Sequence, residues 1–350
     1  MSDRCVEQLL QFAATFTDPA VLVLDENADS LPVNPFTDVQ AISNRIDICT
    51  AARANKNWPC TFSDFVFDAP TLSERRLALY RISKEKRVVE HVLQSLWQLL
   101  PVGGALYCAG YKNEGIKTFA KRMQDAWSCT VTLDRGEHQL YRYRLVKTGN
   151  AATALNSHDY HTLLVIGDYH GMAVCSKPGI FAWDRFDAGS RFLLEHLPAF
   201  LQLTDHRRQS ALDLGCGYGL LALALVQAGC KRVVATDNNA AAVRACDFNL
   251  QVHRGDCEVA VIAADCADTI KERFDLVVCN PPFHQGFSVD RDLTDHFLRA
   301  TKRLLTPRGR ALFVVNAFIP LERKAALHFS RVDEVARNEG FRLLQLQQAR

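Results

Sequence analysis

The chain has 350 residues, 48% hydrophobic and 23% charged, with a formal net charge of +2 and twelve cysteines. That length suits two domains, and the composition is globular rather than disordered, fibrous or membrane-embedded. The near-neutral balance excludes a uniformly basic surface, so any nucleic-acid contact has to come from local patches.

The N-terminal MSDRCVEQLLQF lacks the long apolar region of a secretory signal, and no later stretch approaches about 20 apolar residues. A cytoplasmic protein that is not exported and does not enter a membrane is therefore expected. The cysteines are scattered, none in C-x-x-C, and Cys108, Cys175 and Cys279 sit in apolar, strand-like company. Buried free thiols in a reducing compartment are expected, without a metal site. Cys257 and Cys266 with His253 match no common zinc-finger spacing.

In chain order, AVLVLDENAD (20–29) reads as an opening strand and DFVFDAP (64–70) as an apolar run closed by proline. LWQLLPVGGALYCAG (96–110) reads as helix end, proline, glycine and strand, and YRYRLVK (141–147) as the last strand of the first half. KTGNAATALNSHD (147–159) is polar and weakly patterned, which suggests a join. The expected division is a first domain 1–150, a linker 151–160 and a second domain 161–350.

Beyond the join comes a lead-in strand, a turn, and a helix beginning near Asp187. Strands follow at about 209–215, 232–237, 258–265, 274–280 and 311–317. Between them lie LLALALVQA, stopped at Gly229, an asparagine-capped helix through 253, and LTDHFLRATKRLL (293–305). VDEVARNEGFRLLQLQQ closes the chain as an antiparallel hairpin turning at Glu339-Gly340. The two halves resemble each other: DFVFDAP matches DLVVCNPP (275–282), and LWQLLPVGGALYCAG matches TKRLLTPRGRALFVVNA (301–317). The expected fold is α/β, two tandem doubly wound Rossmann-like sheets, the first degenerate because no glycine loop follows its opening strand.

LDLGCGYGLL (212–221) places Gly215, Gly217 and Gly219 at a strand exit ahead of a helix. Bare backbone there lets a ligand approach, and the helix amides suit a carboxylate or phosphate. The G-x-G-x-G spacing is one residue shorter than the dinucleotide fingerprint. Asp237 and Asp265 close the next two strands, placed to accept from ribose hydroxyls and an adenine amine respectively. In these features the chain resembles the class I S-adenosylmethionine-dependent methyltransferases. The resemblance implies that the glycines and Asp213 serve the methionine end, with Cys216 contributing backbone. Asp237 would then meet the ribose and Asp265 the adenine, with Asn238 and Cys266 completing the cofactor set.

VVCNPPFHQG (277–286) ends the fourth strand in a polar amide locked against two prolines and an aromatic ring. An amine on a nucleobase is a poor nucleophile because its lone pair is delocalised. Asn280 and the Pro281 carbonyl can accept its hydrogens, Pro281 and Pro282 fix the backbone, and Phe283 offers a stacking face. This site would grip an NH2 group. The chain also resembles the bacterial ribosomal RNA guanine-N2 methyltransferases, nearest to their small-subunit (16S) branch, through NPPFH, PGIFAWDRFDAGSRFLL (178–194), CAGYKNEGIKTF (108–119) and VVNAFIP (314–320).

That resemblance implies methylation of guanine N2 in 16S ribosomal RNA, with the small ribosomal subunit as partner. Phe181, His284, Arg299, Lys302 and Arg303 are the candidate RNA contacts, with further basic residues at Arg308, Arg310, 74–87 and 141–144. The 23S guanine-N2 enzymes share the chemistry. A non-catalytic RNA-binding or assembly factor on the same fold would have lost the glycine loop or Asn280, and both are present.

Overall fold

In the computed structural model the described residues are 4–13, 17–25, 34, 36–54, 58–67, 72, 75–136, 138–155, 159–202, 209–282 and 291–348. They form two compact units, Met1–Thr162 and Leu163–Arg350. Among them no helix is long and apolar enough to cross a membrane. All twelve cysteines are free thiols, ten of them buried.

The first unit contains β1 (Ala20–Leu24), β2 (Val39–Ser43), β3 (Cys60–Phe62), β4 (Leu77–Arg81), β5 (Ala105–Tyr111), β6 (Trp127–Arg135) and β7 (Leu140–Ala152). Helices α1 (Arg4–Ala13), α2 (Ile46–Ala54), α3 (Lys86–Leu99) and α4 (Ile116–Ala126) connect and flank them. In the second unit a hairpin of β8 (Leu164–Tyr169) and β9 (Met172–Ser176) precedes α5 (Ala188–Gln202). There follow β10 (Ser210–Leu214), α6 (Leu220–Gln227), β11 (Arg232–Asp237), α7 (Ala240–His253), β12 (Glu258–Ala263) and β13 (Phe274–Cys279). The chain closes with α8 (Arg291–Leu304), β14 (Leu305–Asn316), α9 (Leu321–Ala325), β15 (Arg331–Arg337) and β16 (Phe341–Gln347).

The two sheets have the same order: β3-β2-β1-β4-β5-β7-β6 and β12-β11-β10-β13-β14-β16-β15. Five strands of each run parallel, and the last pair adds antiparallel. The central parallel strands of each sheet are buried on both faces, as crossover helices require. In the second unit Ala211 belongs to one core, with α5, α6 and α7, while Leu212 and Leu214 belong to the other, with α8.

One element of the expected repeat is corrected. DFVFDAP is not the fourth strand of the first sheet: Phe65 takes φ +50°, which breaks extension, and Val66 is exposed. The fourth strand is LALYR (77–81), buried at every position. The β12 strand ends at Ala263 rather than Asp265, and β14 begins at Leu305, well before the expected 311. Residues 151–160, expected as a linker, carry Leu155 and Tyr160 in the first core, and Tyr160 OH donates to Asp64 Oδ1 at 2.8 Å.

The first unit's parallel-strand rim is closed by side chains. Asp25, just past β1, is buried and accepts from Tyr80 OH at 3.0 Å. Arg81 and Glu114 form a buried ion pair at 2.5 Å. Ile82, fully buried, occupies the position directly after β4 that Asn280 occupies after β13.

Candidate active site

The site is built where β10, β11 and β13 end together. Register pairs Asp213 with Val278 and Leu214 with Thr236. Gly215 and Asn280, each two residues past the Asp213–Val278 pair, therefore leave neighbouring strands, about 5 Å apart, at the same level. The glycine loop and the amide tip share one rim.

The loop is held from below and from the side. The amides of Gly215 and Cys216 both donate to the Thr236 carbonyl, at 2.9 and 3.0 Å. Gly217 N donates to Asp237 Oδ2 at 2.9 Å, and Asn239 N to Oδ1 at 3.0 Å, so the strand-end carboxylate is fixed in plane. Gly219 has φ +88°, and a Cβ there would lie 2.7 Å from Cys246 Sγ. Gly217 has φ +53° and only Ile180, at 3.9 Å, near its would-be Cβ. Gly219 is thus required by packing, whereas Gly217 faces open space.

Asp213 lies beneath this loop with no exposure. Its Oδ2 accepts from Ala222 N at 2.9 Å, and its Oδ1 is buried without a partner among the described residues. Burial pushes the Asp213 carboxyl up to about 7; the Ala222 amide opposes that shift and the Asp237 charge adds to it. Asp265 follows β12 half-buried, and Cys266 and Ala267 after it both take positive φ, 45° and 57°. Asn238 stands half-buried between Asp237 and Asn239. Asn239 caps α7, its Oδ1 accepting from Ala241 N at 2.8 Å, and its Nδ2 donates to Gly179 O at 2.9 Å. Phe181, two residues beyond Gly179, is 78% exposed.

Asn280 is half-buried, with Nδ2 donating to Asp187 Oδ2 at 2.7 Å and to Ser190 Oγ at 3.0 Å. Pro281 is buried and Pro282 exposed; Phe283 and His284 lie outside the described residues. The Asp187 amide in turn donates to Tyr218 OH at 3.3 Å, and that hydroxyl donates to Arg185 O at 3.1 Å. Tyr218 belongs to the glycine loop, and buried Asn249 ties its carbonyl to β9: Asn249 Nδ2 donates to Tyr218 O at 2.8 Å and to Cys175 O at 2.7 Å. In the sequence Tyr218 and Asn249 carry no signal, the asparagine before α7 is legible only as a helix cap, and Asp187 and Ser190 stand out only at a helix start and within a longer resemblance.

The basic residues on α8 do not join the site. This helix runs back toward the start of β14, where Leu305 pairs with Phe274, the first residue of β13. Lys302 and Arg303 thus lie near the opposite end of a strand about 20 Å long from Asn280. Arg303 donates to the carbonyls of Ala267 (2.7 Å) and Ile270, bracing the loop after Asp265. Arg299, one turn earlier, pairs with Asp295 at 2.6 Å. As RNA contacts Lys302 and Arg303 would act outside the Asn280 pocket. Arg81 in the 74–87 run is buried, and Arg142 in the 141–144 run pairs with Asp134. Among the described residues no cluster of His, Cys, Asp or Glu could hold a metal ion.

The model of the methyltransferase small domain matches residues 171–345, and that of its N-terminal companion, methyltransferase small domain N-terminal, matches 7–161. The chain belongs to the methyltransferase small domain family. Similar members include proteins named Ribosomal RNA small subunit methyltransferase C. The one from Shewanella denitrificans is 25% identical over 350 residues, covering 98% of each chain. The one from Erwinia tasmaniensis is 28% identical over 339 residues, covering 96% of this chain and 94% of its own. Among solved structures, the T. thermophilus 16S rRNA N2 methyltransferase RsmC, in complex with AdoMet and guanosine, superposes with a TM-score of 0.83. It covers 98% of this chain and 91% of its own at 23% identity, a likeness of fold.

Proposed function

We propose that the chain transfers a methyl group from S-adenosylmethionine to the exocyclic N2 amine of a guanosine in 16S ribosomal RNA, with the small ribosomal subunit as partner. The observation that carries this is the Asn280 amide beside the glycine loop, its nitrogen committed to Asp187 and Ser190 and its oxygen accepting from none of the described residues. The names of full-length relatives and the shared two-sheet fold support the RNA assignment.

The residues fit the cofactor on two counts. Asp213 Oδ1 is a buried acceptor without a donor among the described residues, suited to an ammonium group, and Gly217 presents bare backbone to open space. Gly215 to Gly219, with Cys216 contributing backbone, would hold the methionine end. Asp237 and Asn238 would hold the ribose, Asp265 and Cys266 the adenine. When bound, S-adenosylmethionine supplies an electrophilic methyl group on a sulfonium sulfur. Asn280 Oδ1 and the Pro281 carbonyl accept the two amine hydrogens, aim the nitrogen lone pair, and stabilise the positive charge that grows on that nitrogen. The excess proton then passes to water without a strong base. Pro282 stiffens the turn, and Phe283 and Phe181 offer stacking faces to an extruded base.

The decisive test is transfer of tritiated methyl from S-adenosylmethionine to undermethylated ribosomal subunits, followed by nucleoside analysis. The expected product is N2-methylguanosine from 16S RNA. Label in 23S RNA, label in adenosine, or none in either subunit overturns the reading.

A pH dependence follows from Asp213. Its carboxyl is raised to about 7 in the fold, so it is protonated and uncharged at pH 6 and ionised at pH 8. Only the ionised form attracts a cation, so cofactor binding releases a proton and affinity rises about tenfold from pH 6 to pH 8. The free protein shows the opposite trend. The raised carboxyl contributes stability that is full below the unfolded value of about 4 and is lost as pH rises toward 7. Calorimetric titration in buffers of different ionisation enthalpy measures the proton release, and Asp213→Asn removes the slope. A flat affinity profile in the wild-type chain would exclude this role.

A further inference from the structure

We propose that Asp187, assisted by Ser190, is a positioning residue: it locks the Asn280 amide in one of its two flip states, so that the site presents only an acceptor to the base. The inference rests on the proposed function and assigns the selectivity of that site for a hydrogen-donating amine. A terminal amide torsion is broad and roughly two-fold, so an unanchored asparagine would offer NH2 and oxygen about equally often. A carboxylate accepts hydrogen bonds and cannot donate them when ionised. The group 2.7 Å from Asp187 Oδ2 must therefore be the amide nitrogen, and Ser190 Oγ at 3.0 Å takes its other hydrogen. Turning the amide over would set its oxygen against the carboxylate.

Asp187 is itself fixed. Its Oδ2 also accepts from Ser190 N at 2.9 Å, and its carbonyl accepts from Arg191 N at 2.9 Å, which begins α5. Its amide reaches Tyr218 OH in the glycine loop, so the orientation of Asn280 is tied to the cofactor cradle. Gly189 leaves the room this arrangement needs. A Cβ there would stand 3.1 Å from Asp187 Oδ2, 3.2 Å from the Phe341 ring and 3.4 Å from Asn280 Nδ2. With both amide hydrogens engaged by Asp187 and Ser190, a ring edge that offers an acceptor finds no donor at Asn280, whereas an NH2 finds an acceptor already aimed.

The test separates orientation from helix capping. Asp187→Ser keeps a good cap for α5 but offers a hydroxyl that tolerates either amide flip. It should retain the wild-type melting temperature and cofactor Kd while kcat falls by about tenfold or more, with KM for ribosomal subunits nearly unchanged. In an Asn280→Ala background the same change should alter kcat by less than about twofold, because residues that act as one unit are non-additive. Asn280→Asp alone sets two carboxylates face to face and should be nearly inactive. The exchange Asp187→Asn with Asn280→Asp restores one donor and one acceptor, and should recover at least about tenfold over that single variant.

An unchanged kcat for Asp187→Ser, equal losses in both backgrounds, or no recovery in the exchange overturns the proposal. Absence of methyl transfer by the wild-type chain would instead sink the functional reading. The clamp is then still read from the side-chain amide of Asn280 by NMR. Its protons should be protected from exchange in the wild-type chain and lose that protection in Asp187→Ser; unprotected wild-type protons would refute the clamp.

Discussion

Asn280→Ala should leave cofactor binding intact and lower the rate of methyl transfer by about 100- to 1,000-fold, the usual loss when one aimed partner of a developing charge is removed. The side chain sits past the end of β13, beside the glycine loop but outside its hydrogen bonds, so the cradle does not depend on it. The fold loses little, because Asp187 keeps the Ser190 amide; the expected cost is about 1 kcal/mol. Single-turnover transfer to ribosomal subunits, alongside calorimetric titration with the cofactor, distinguishes the two effects. Near-normal turnover would remove Asn280 from the chemistry, and a parallel loss of cofactor affinity would make it a binding residue instead.

Gly219→Ala should do the reverse and abolish cofactor binding by breaking the loop. At φ +88° a Cβ is strained by about 1–2 kcal/mol. It would also press on Cys246 at 2.7 Å from the sulfur and 3.2 Å from Cα. Cys246 lies in α7 and is fully buried, so the sulfur has little room to turn away. Overpacking of this kind costs about 1–3 kcal/mol more. The melting temperature should fall by something on the order of 10 °C. Gly217→Ala is the control: at φ +53° it carries a similar backbone strain, but its Cβ meets only Ile180 at 3.9 Å, so it should weaken cofactor binding with a smaller loss of stability than Gly219→Ala. Thermal melts and cofactor titrations of the two variants check this contrast. If both variants lose the same stability, the division of roles between the two glycines is wrong.

The strands of the second unit were legible because each is an apolar run bounded by Gly, Asp or Asn. The glycine loop was legible because its spacing is short and local. The first unit was harder. The LALYR strand lies among the charges of ERRLALYRISKEKR, and that setting reads as a solvated basic face. It is a core strand because Glu114, thirty-three positions away, neutralises Arg81 inside the fold. In contrast, DFVFDAP has the composition of a strand but holds Phe65 in a left-handed conformation.

The clamp on Asn280 escaped notice for the same reason: Asp187 is ninety-three residues away, and no local period points to it. Arg299, Lys302 and Arg303 stand out in the sequence by charge, which does not say which end of the sheet they occupy. A helix that crosses between parallel strands must carry its last turn to the end of the sheet away from the ligand rim. That rule, applied to α8, puts Lys302 and Arg303 near the far end.

The position that follows the fourth strand carries a consequence for how the two halves tolerate change. In the first half it holds Ile82, packed so closely that a Cβ on Gly110 would lie 2.5 Å from it, and in the second it holds Asn280. Damage at the earlier address should lower the yield of folded chain, whereas damage at the later one should give well-behaved protein with little activity. Two equivalent places in a doubled architecture thus fail in unlike ways, one as a mason's stone and the other as a craftsman's tool.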